Sequence, residues 1–367
     1  MADYATIDKP SDYFDTKVYT GTGSNNITLP MDDVGLVWMK NRTNSGNNIL
    51  MDIIRGGNNA NSQKTIILSN TTGAEQGSDV TATGGVAFGS TSTVIGSDNG
   101  GYNYNNSTSS SYCAWHWRTG TAFSNDASST SIGTIDSAGS VNTDAGFSIT
   151  KFTADGNNLT AAHGLGVAPT MMWTKNLSIS KNWSVYHSSL GEGKSIFLNV
   201  TDVADADNTY WNNTAPTSTT LSYGTWSGNN NGNKIIAYCF AEKQGYSKFN
   251  SYVGNGAASD GPFSYTGFKP AFVMTKPSTR VDDWRIFDNK RSSSGANPNN
   301  KMLFPHTNGA EGVSSTNSVP DGMDFLSNGF KIRQATGGLN TAGETYIYMA
   351  FAENPFVTST GVPATAR

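Results

Sequence analysis

Apolar positions in this chain fall in short runs, and the runs recur. Three of them close on lysine: Gly35-Leu36-Val37-Trp38-Met39-Lys40, Thr170-Met171-Met172-Trp173-Thr174-Lys175 and Ala271-Phe272-Val273-Met274-Thr275-Lys276. Each is preceded by a strand running into a glycine-marked turn (18–23, 151–156 and 251–256). Twelve residues after each lysine comes Asp52, His187 or Asp288, and each copy closes on Trp115-His116-Trp117, Tyr238-Cys239-Phe240 or Met349-Ala350-Phe351. One block is therefore written three times.

Within a block the elements are strands. Runs rich in Val, Ile, Thr, Trp, Tyr and Phe alternate with Gly/Asn/Ser turns, as half-buried strands require. Gly329-Phe330-Lys331-Ile332-Arg333 alternates apolar with charged residues, and no window beyond about ten residues holds a helical period. The pattern predicts an all-β chain of three tandem homologous β-sandwich-like domains. The expected divisions are an N-terminal arm over 1–12, repeat one over 13–118, a Ser/Gly/Thr-rich linker or loop over 119–145, repeat two over 146–244, repeat three over 245–353 and an extended tail over 354–367.

At 367 residues each copy has about 100, enough for a core of its own. Only 36% of residues are hydrophobic and 14% charged, against forty glycines; thin cores and an amide- and hydroxyl-rich surface follow. Net charge is −4 with scattered Lys and Arg, which argues against nucleic acid as a partner. No run of eighteen apolar residues is present to insert in a membrane, and residues 1–8 lack a secretory signal's regions. Assembly in a cytoplasm is the expectation. The two cysteines, Cys113 and Cys239, sit three strand positions apart in the aligned copies, on opposite strand faces, and are expected as free thiols.

Candidate chemistry is sparse. Asp52 with Arg55, and Asp288 with Arg291, share a spacing that braces a turn or holds a carboxylate or sugar; repeat two has His187 and Leu190 there. Lys40, Lys175 and Lys276 read as solvated strand ends or as cations facing an anionic glycan. Asp202, Asp205 and Asp207 form an acidic loop without the glycine and distal glutamate of a helical calcium loop. The four histidines show no metal-ligand spacing, and Ser188 beside His187 lacks a nucleophile's context. No metal, cofactor or catalytic residue is assigned. Tyr102, Tyr104, Tyr210, Trp211 and Trp226, in or beside Asn/Gly/Ser-rich loops, are the candidate ligand-binding residues, because sugar rings stack on exposed aromatic faces and loops on a rigid scaffold carry recognition.

Several motifs carry a resemblance: 161–169 (Ala-Ala-His-Gly-Leu-Gly-Val-Ala-Pro), 185–191 (Val-Tyr-His-Ser-Ser-Leu-Gly), 259–263 (Ser-Asp-Gly-Pro-Phe), 325–331 (Phe-Leu-Ser-Asn-Gly-Phe-Lys) and 346–356, from Tyr346 to Phe356. Over about 146–356 the chain resembles an uncharacterised repeat-containing family of virion structural proteins of marine bacteriophages, including cyanophages. The likeness is looser in repeat one, and no site residues come with it. It implies a virion component, in a tail or fibre; tandem copies without a shared catalytic set add the expectation of a non-enzymatic protein displaying its domains for attachment to a host-surface glycan. Other virion proteins would be partners, and a homo-oligomer such as a trimer is implied. The arm, with Tyr4, Ile7 and Pro10, is the preferred anchor. The alternatives are a capsid decoration or cement protein and a polysaccharide depolymerase, which would need a carboxylate pair.

Overall fold

The computed structural model describes residues 5–24, 27–56, 65–77, 85–96, 106–226, 228–257, 260–292, 297–313, 315–316, 319–320, 322–334 and 337–363. The chain is almost entirely β, in antiparallel sheets, with α-helix confined to the one-turn segments Ile53–Gly56 and Ala127–Thr130 among the described residues.

One four-strand order occurs three times. The first strand of a lobe pairs with its last strand, the last pairs with the strand holding the lysine-closed run, and that pairs with the strand holding Asp52, His187 or Asp288. In lobe one these are Phe14–Thr20, Ser111–Arg118, Val34–Asn41 and Ile49–Asp52. Lobe two uses Phe147–Thr153, Lys234–Phe240, Met171–Asn176 and Ser184–His187. Lobe three uses Ser247–Val253, Thr345–Pro355, Phe268–Pro277 and Arg285–Asp288. A smaller sheet accompanies each: Ile27–Leu29, Thr93–Ile95 and Val86–Ala87; Leu159–Ala162 with Thr220–Tyr223; and Phe263–Tyr265, Gly329–Ile332 and Met323–Leu326.

Both faces of each main sheet are covered. All eight residues of Val34–Asn41 are buried, and so are all six of Met171–Asn176. Val37, Met39, Tyr112 and Ala114 belong to a core within lobe one; the second and third lobes have their own counterparts. The opposite faces pool into one interior containing Trp38, Trp115, Trp117, Trp173, Phe240, Phe272 and Phe351, drawn from all three lobes. At its centre the matching residues of the three last strands, Trp117, Phe240 and Phe351, form a triangle with ring centroids 6.2, 6.2 and 5.9 Å apart. The three blocks are thus not independent beads. Each keeps a thin private core, and together they bury a larger common one.

The segment expected as a linker, 119–145, instead carries Thr121–Asn125 and Ser137–Asn142, which extend the second lobe's main sheet. Its glycines suit close strand approach: Gly139 sits between two strands where a Cβ would fall 1.9 Å from the Ile149 carbonyl oxygen. The N-terminal arm is also not free. Ala5, Ile7 and Pro10 are buried, Asp8 accepts hydrogen bonds from the Ser359 amide and hydroxyl, and Phe14 stacks on Phe351 at 4.6 Å. Ile7 and Pro10 therefore cannot serve as external anchors in this state, and Tyr4 lies outside the described residues. Cys113 and Cys239 are free and buried, one in the common core and one in the second lobe's own core, as opposite strand faces require.

Candidate functional site

The ionisable residues at matching positions in the three lobes converge on the seams between lobes. Asp52 accepts a hydrogen bond from the Tyr238 hydroxyl at 2.6 Å, so lobe one holds lobe two. His187 lies 3.2 Å, through Nε2, from the Tyr348 carbonyl oxygen, joining lobe two to lobe three. Asp288 accepts from Trp115 Nε1 at 3.1 Å and from the Cys113 thiol at 3.8 Å, joining lobe three to lobe one. The cycle closes in one direction.

A second set of contacts runs the other way. Lys40 Nζ donates to the Thr307 carbonyl at 2.9 Å, Lys175 Nζ to that of Thr72 at 2.8 Å, and Lys276 Nζ to that of Thr201 at 3.1 Å. Eight residues beyond each lysine, Trp183 Nε1 donates to the Leu68 carbonyl and Trp284 Nε1 to the Phe197 carbonyl, both at 2.9 Å. At the same place in lobe one Asn48 stands for tryptophan, and its Nδ2 donates to the Pro305 carbonyl at 2.9 Å. Head-to-tail contacts of this kind produce a closed ring when the rotation closes.

This placement overturns two expectations. The lysines are neither solvated strand ends nor a cationic row: all three are fully buried. They point to the common interior beside Trp38, Trp173 and Met274 by strand alternation. Burial pushes Lys40 and Lys175 down to about 7 and Lys276 down to about 8; Arg291 adds to the effect on Lys40, and Asp282 and Asp202 oppose it at Lys276. The Asp–Arg pairs do brace turns, but from inside. Asp52 Oδ1 accepts from the Ile54 and Arg55 amides at 3.0 Å and Asp288 Oδ1 from the Lys290 and Arg291 amides at 3.1 Å, with the guanidinium on the other oxygen. Burial works against the Arg55 and Arg291 charges, yet the carboxylates beside them raise both pKa values.

His187 is held neutral. Burial lowers it to about 4, and its Nδ1 accepts from the Ser189 amide at 3.2 Å, which leaves the proton on Nε2 facing Tyr348. His116, expected to face outward from between two core tryptophans, is also buried and lowered to about 4 by desolvation, because the small sheet covers that face. The loop of Asp202, Asp205 and Asp207 is tied down by its backbone: Ala204 N donates to the Ser278 carbonyl, and residues 195 and 205 exchange two hydrogen bonds.

Of the candidate aromatics, Tyr102 and Tyr104 lie outside the described residues. Trp211 and Trp226 are buried in the second lobe's core, 1% and 4% exposed, so neither offers a ring face to a ligand. Tyr210 is half-buried, with Phe197 and Trp226 rings at 5.5 and 5.6 Å. Composition misled here: Asn/Gly-rich flanks mark turns, and the turns fold these rings inward. Sequence reading missed Phe263 and Tyr265, the exposed aromatic residues among those described. The available signal was the aromatic–serine–aromatic alternation of Phe263-Ser264-Tyr265 between Gly261 and Gly267.

Comparison with known proteins yields a family without a function. A family model described as a domain of unknown function, DUF7483, matches residues 9–355, and the chain belongs to that family. No curated protein and no solved structure matches. The matched span covers all three lobes, consistent with their sharing one interior.

Proposed function

Taking membership of that family as the premise, we propose that the chain is a non-enzymatic virion structural protein, a tail or fibre component that displays β-lobes for attachment to a host-surface glycan. The observation that carries this reading is the use made of the chain's buried ionisable groups. Asp52, His187, Asp288, Lys40, Lys175 and Lys276 each bond across a seam between lobes, which is what a rigid display scaffold needs. The phage setting comes from the motif resemblance alone. Because the ring closes within one chain, further copies are not needed to complete the core; copies on a particle would add avidity by raising effective concentration.

Purified particles labelled with antibody against this chain test the proposal. Label on the tail or fibre, with adsorption lost when the protein is removed, is the expected result. Label over the shell with loss of particle stability would assign the cement role instead. Release of reducing sugar from host polysaccharide by the purified chain would make it a depolymerase, and unlabelled particles would remove it from the virion.

A further inference from the structure

Phe263 and Tyr265 are 46% and 60% exposed, whereas every other described aromatic side chain is buried or half-buried. They are alternate residues of one strand with buried Ser264 between them, so both rings leave the same face of the sheet, about 7 Å apart along the strand. Glycine shapes that face. Gly329 pairs with Tyr265, and a Cβ there would fall 2.9 Å from two Phe263 ring carbons. Gly267, at φ +81°, leaves bare backbone where a Cβ would lie 3.7 Å from the Tyr265 hydroxyl. Each ring therefore leans over a residue without a side chain and keeps ring surface toward solvent.

Beside Tyr265 opens a cleft of about 420 Å³, bordered by Glu242, Gln244, Lys248, Thr266 and Phe356, within the ~300–1,000 Å³ typical of small-ligand sites. Its carboxylate is held in place: Glu242 accepts from Lys248 Nζ at 2.8 Å and from the Phe249 amide at 3.0 Å, and about a third of each charged side chain stays accessible.

We propose that the Phe263–Tyr265 face and the adjoining cleft form a carbohydrate-binding site for a neutral hexose chain. The two rings stack on successive sugar units, and Glu242 and Gln244 take hydroxyl hydrogen bonds at the cleft edge. A carboxylate beside a stacking ring disfavours nucleic acid, whose phosphates it would repel, while the acceptors and donors of a carboxylate and an amide match sugar hydroxyls. The site deepens the attachment reading and rests on it.

The test is binding of the full chain to a printed array of bacterial lipopolysaccharide O-chains and linear neutral hexose oligosaccharides. The native chain is expected to bind members of the array. Tyr265→Ala and Phe263→Ala should each weaken that binding about tenfold (about 1.4 kcal/mol), with melting temperatures unchanged, and Val281→Ser, at a 62% exposed position, should leave it intact. Failure of the native chain to bind would overturn the site. So would equal binding by both ring variants, or a change of sedimentation in those variants without loss of sugar binding, which would assign the face to a protein contact. Particle labelling separates the two proposals: labelled particles without sugar binding sink this site alone, and sugar binding by a chain absent from particles sinks the virion reading alone.

Discussion

Replacing Asp52 by Asn, and Tyr238 by Phe, probes one seam of the ring from both sides. The Asp52 carboxylate accepts from the Tyr238 hydroxyl at 2.6 Å and from Arg55 Nε at 2.5 Å, and the Arg55 side chain is only 1% exposed. Asp52→Asn leaves that guanidinium buried with only the Glu75 carboxylate, 3.3 Å from Nη1, as counter-charge, so the cost should approach but not exceed the ~3–5 kcal/mol of a fully broken buried pair. Tyr238→Phe removes a single donor to a carboxylate that keeps its others, for about 1.5–3 kcal/mol. Because both substitutions act on the same oxygen, the double variant should be more stable than additivity predicts, with a coupling of about 1–3 kcal/mol. Urea unfolding of the four proteins at pH 7, with equal m-values, gives the coupling directly. Additivity within about 0.3–0.5 kcal/mol would refute the claim that this bond fastens lobe one to lobe two.

The shared interior predicts one calorimetric transition for the whole chain, and no cooperative transition for a fragment spanning 119–244, whose Trp173 and Phe240 would lose their cover; a fragment that melts cooperatively would show the lobes to be independent. Trp117→Ala, at the centre of the aromatic triangle, should cost about 3–5 kcal/mol by the same urea assay. His116 and His187 fall to about 4 in the folded protein, so below about 6.5 the unfolded chain binds protons that the native one does not. Stability from these groups is complete above that value and is lost as pH falls toward 4, so Tm should drop over that window, less steeply in His187→Gln. The lysines extend the trend upward: with folded values of about 7 to 8 and an unfolded value near 10.4, stability should rise between pH 7 and 9, and a flat profile would refute their burial.

The strand content was legible because Val, Ile and aromatic runs between glycine turns have no other compact use. The closed ring was not, although a trace of it was present. A strand with one solvated face alternates, whereas Leu36 to Met39 and Met171 to Trp173 do not; unbroken apolar runs mark strands covered on both sides. Read that way, the lysine ending each run must also find partners indoors. The partners themselves lie in another block, as with Lys175 and Thr72 or Asp52 and Tyr238, and no local pattern reports a contact across more than a hundred residues. The linker expectation failed for a related reason: the outer two strands of a sheet pack little and need few apolar residues, so 121–125 and 137–142 look like loop. The aromatic candidates failed because flanking composition says where the backbone turns, not where a ring points.

Holding the three blocks in one chain changes what the centre can be made of. A ring of three identical chains would place three copies of one residue at every level of the axis, so the packed volume could change only in steps of three. Here the central level takes Trp117, Phe240 and Phe351, and the next along the strands takes Trp115, Tyr238 and Met349 opposite Trp38, Trp173 and Met274. Bulk in lobe one is set against slimmer side chains in lobe three, so the packed volume can be adjusted one residue at a time toward native density. The same freedom applies at the seams, where Asp52, His187 and Asp288 occupy one position and bond to a hydroxyl, a carbonyl and an indole. Drift between the copies is therefore compatible with a tighter fit than strict repetition would give.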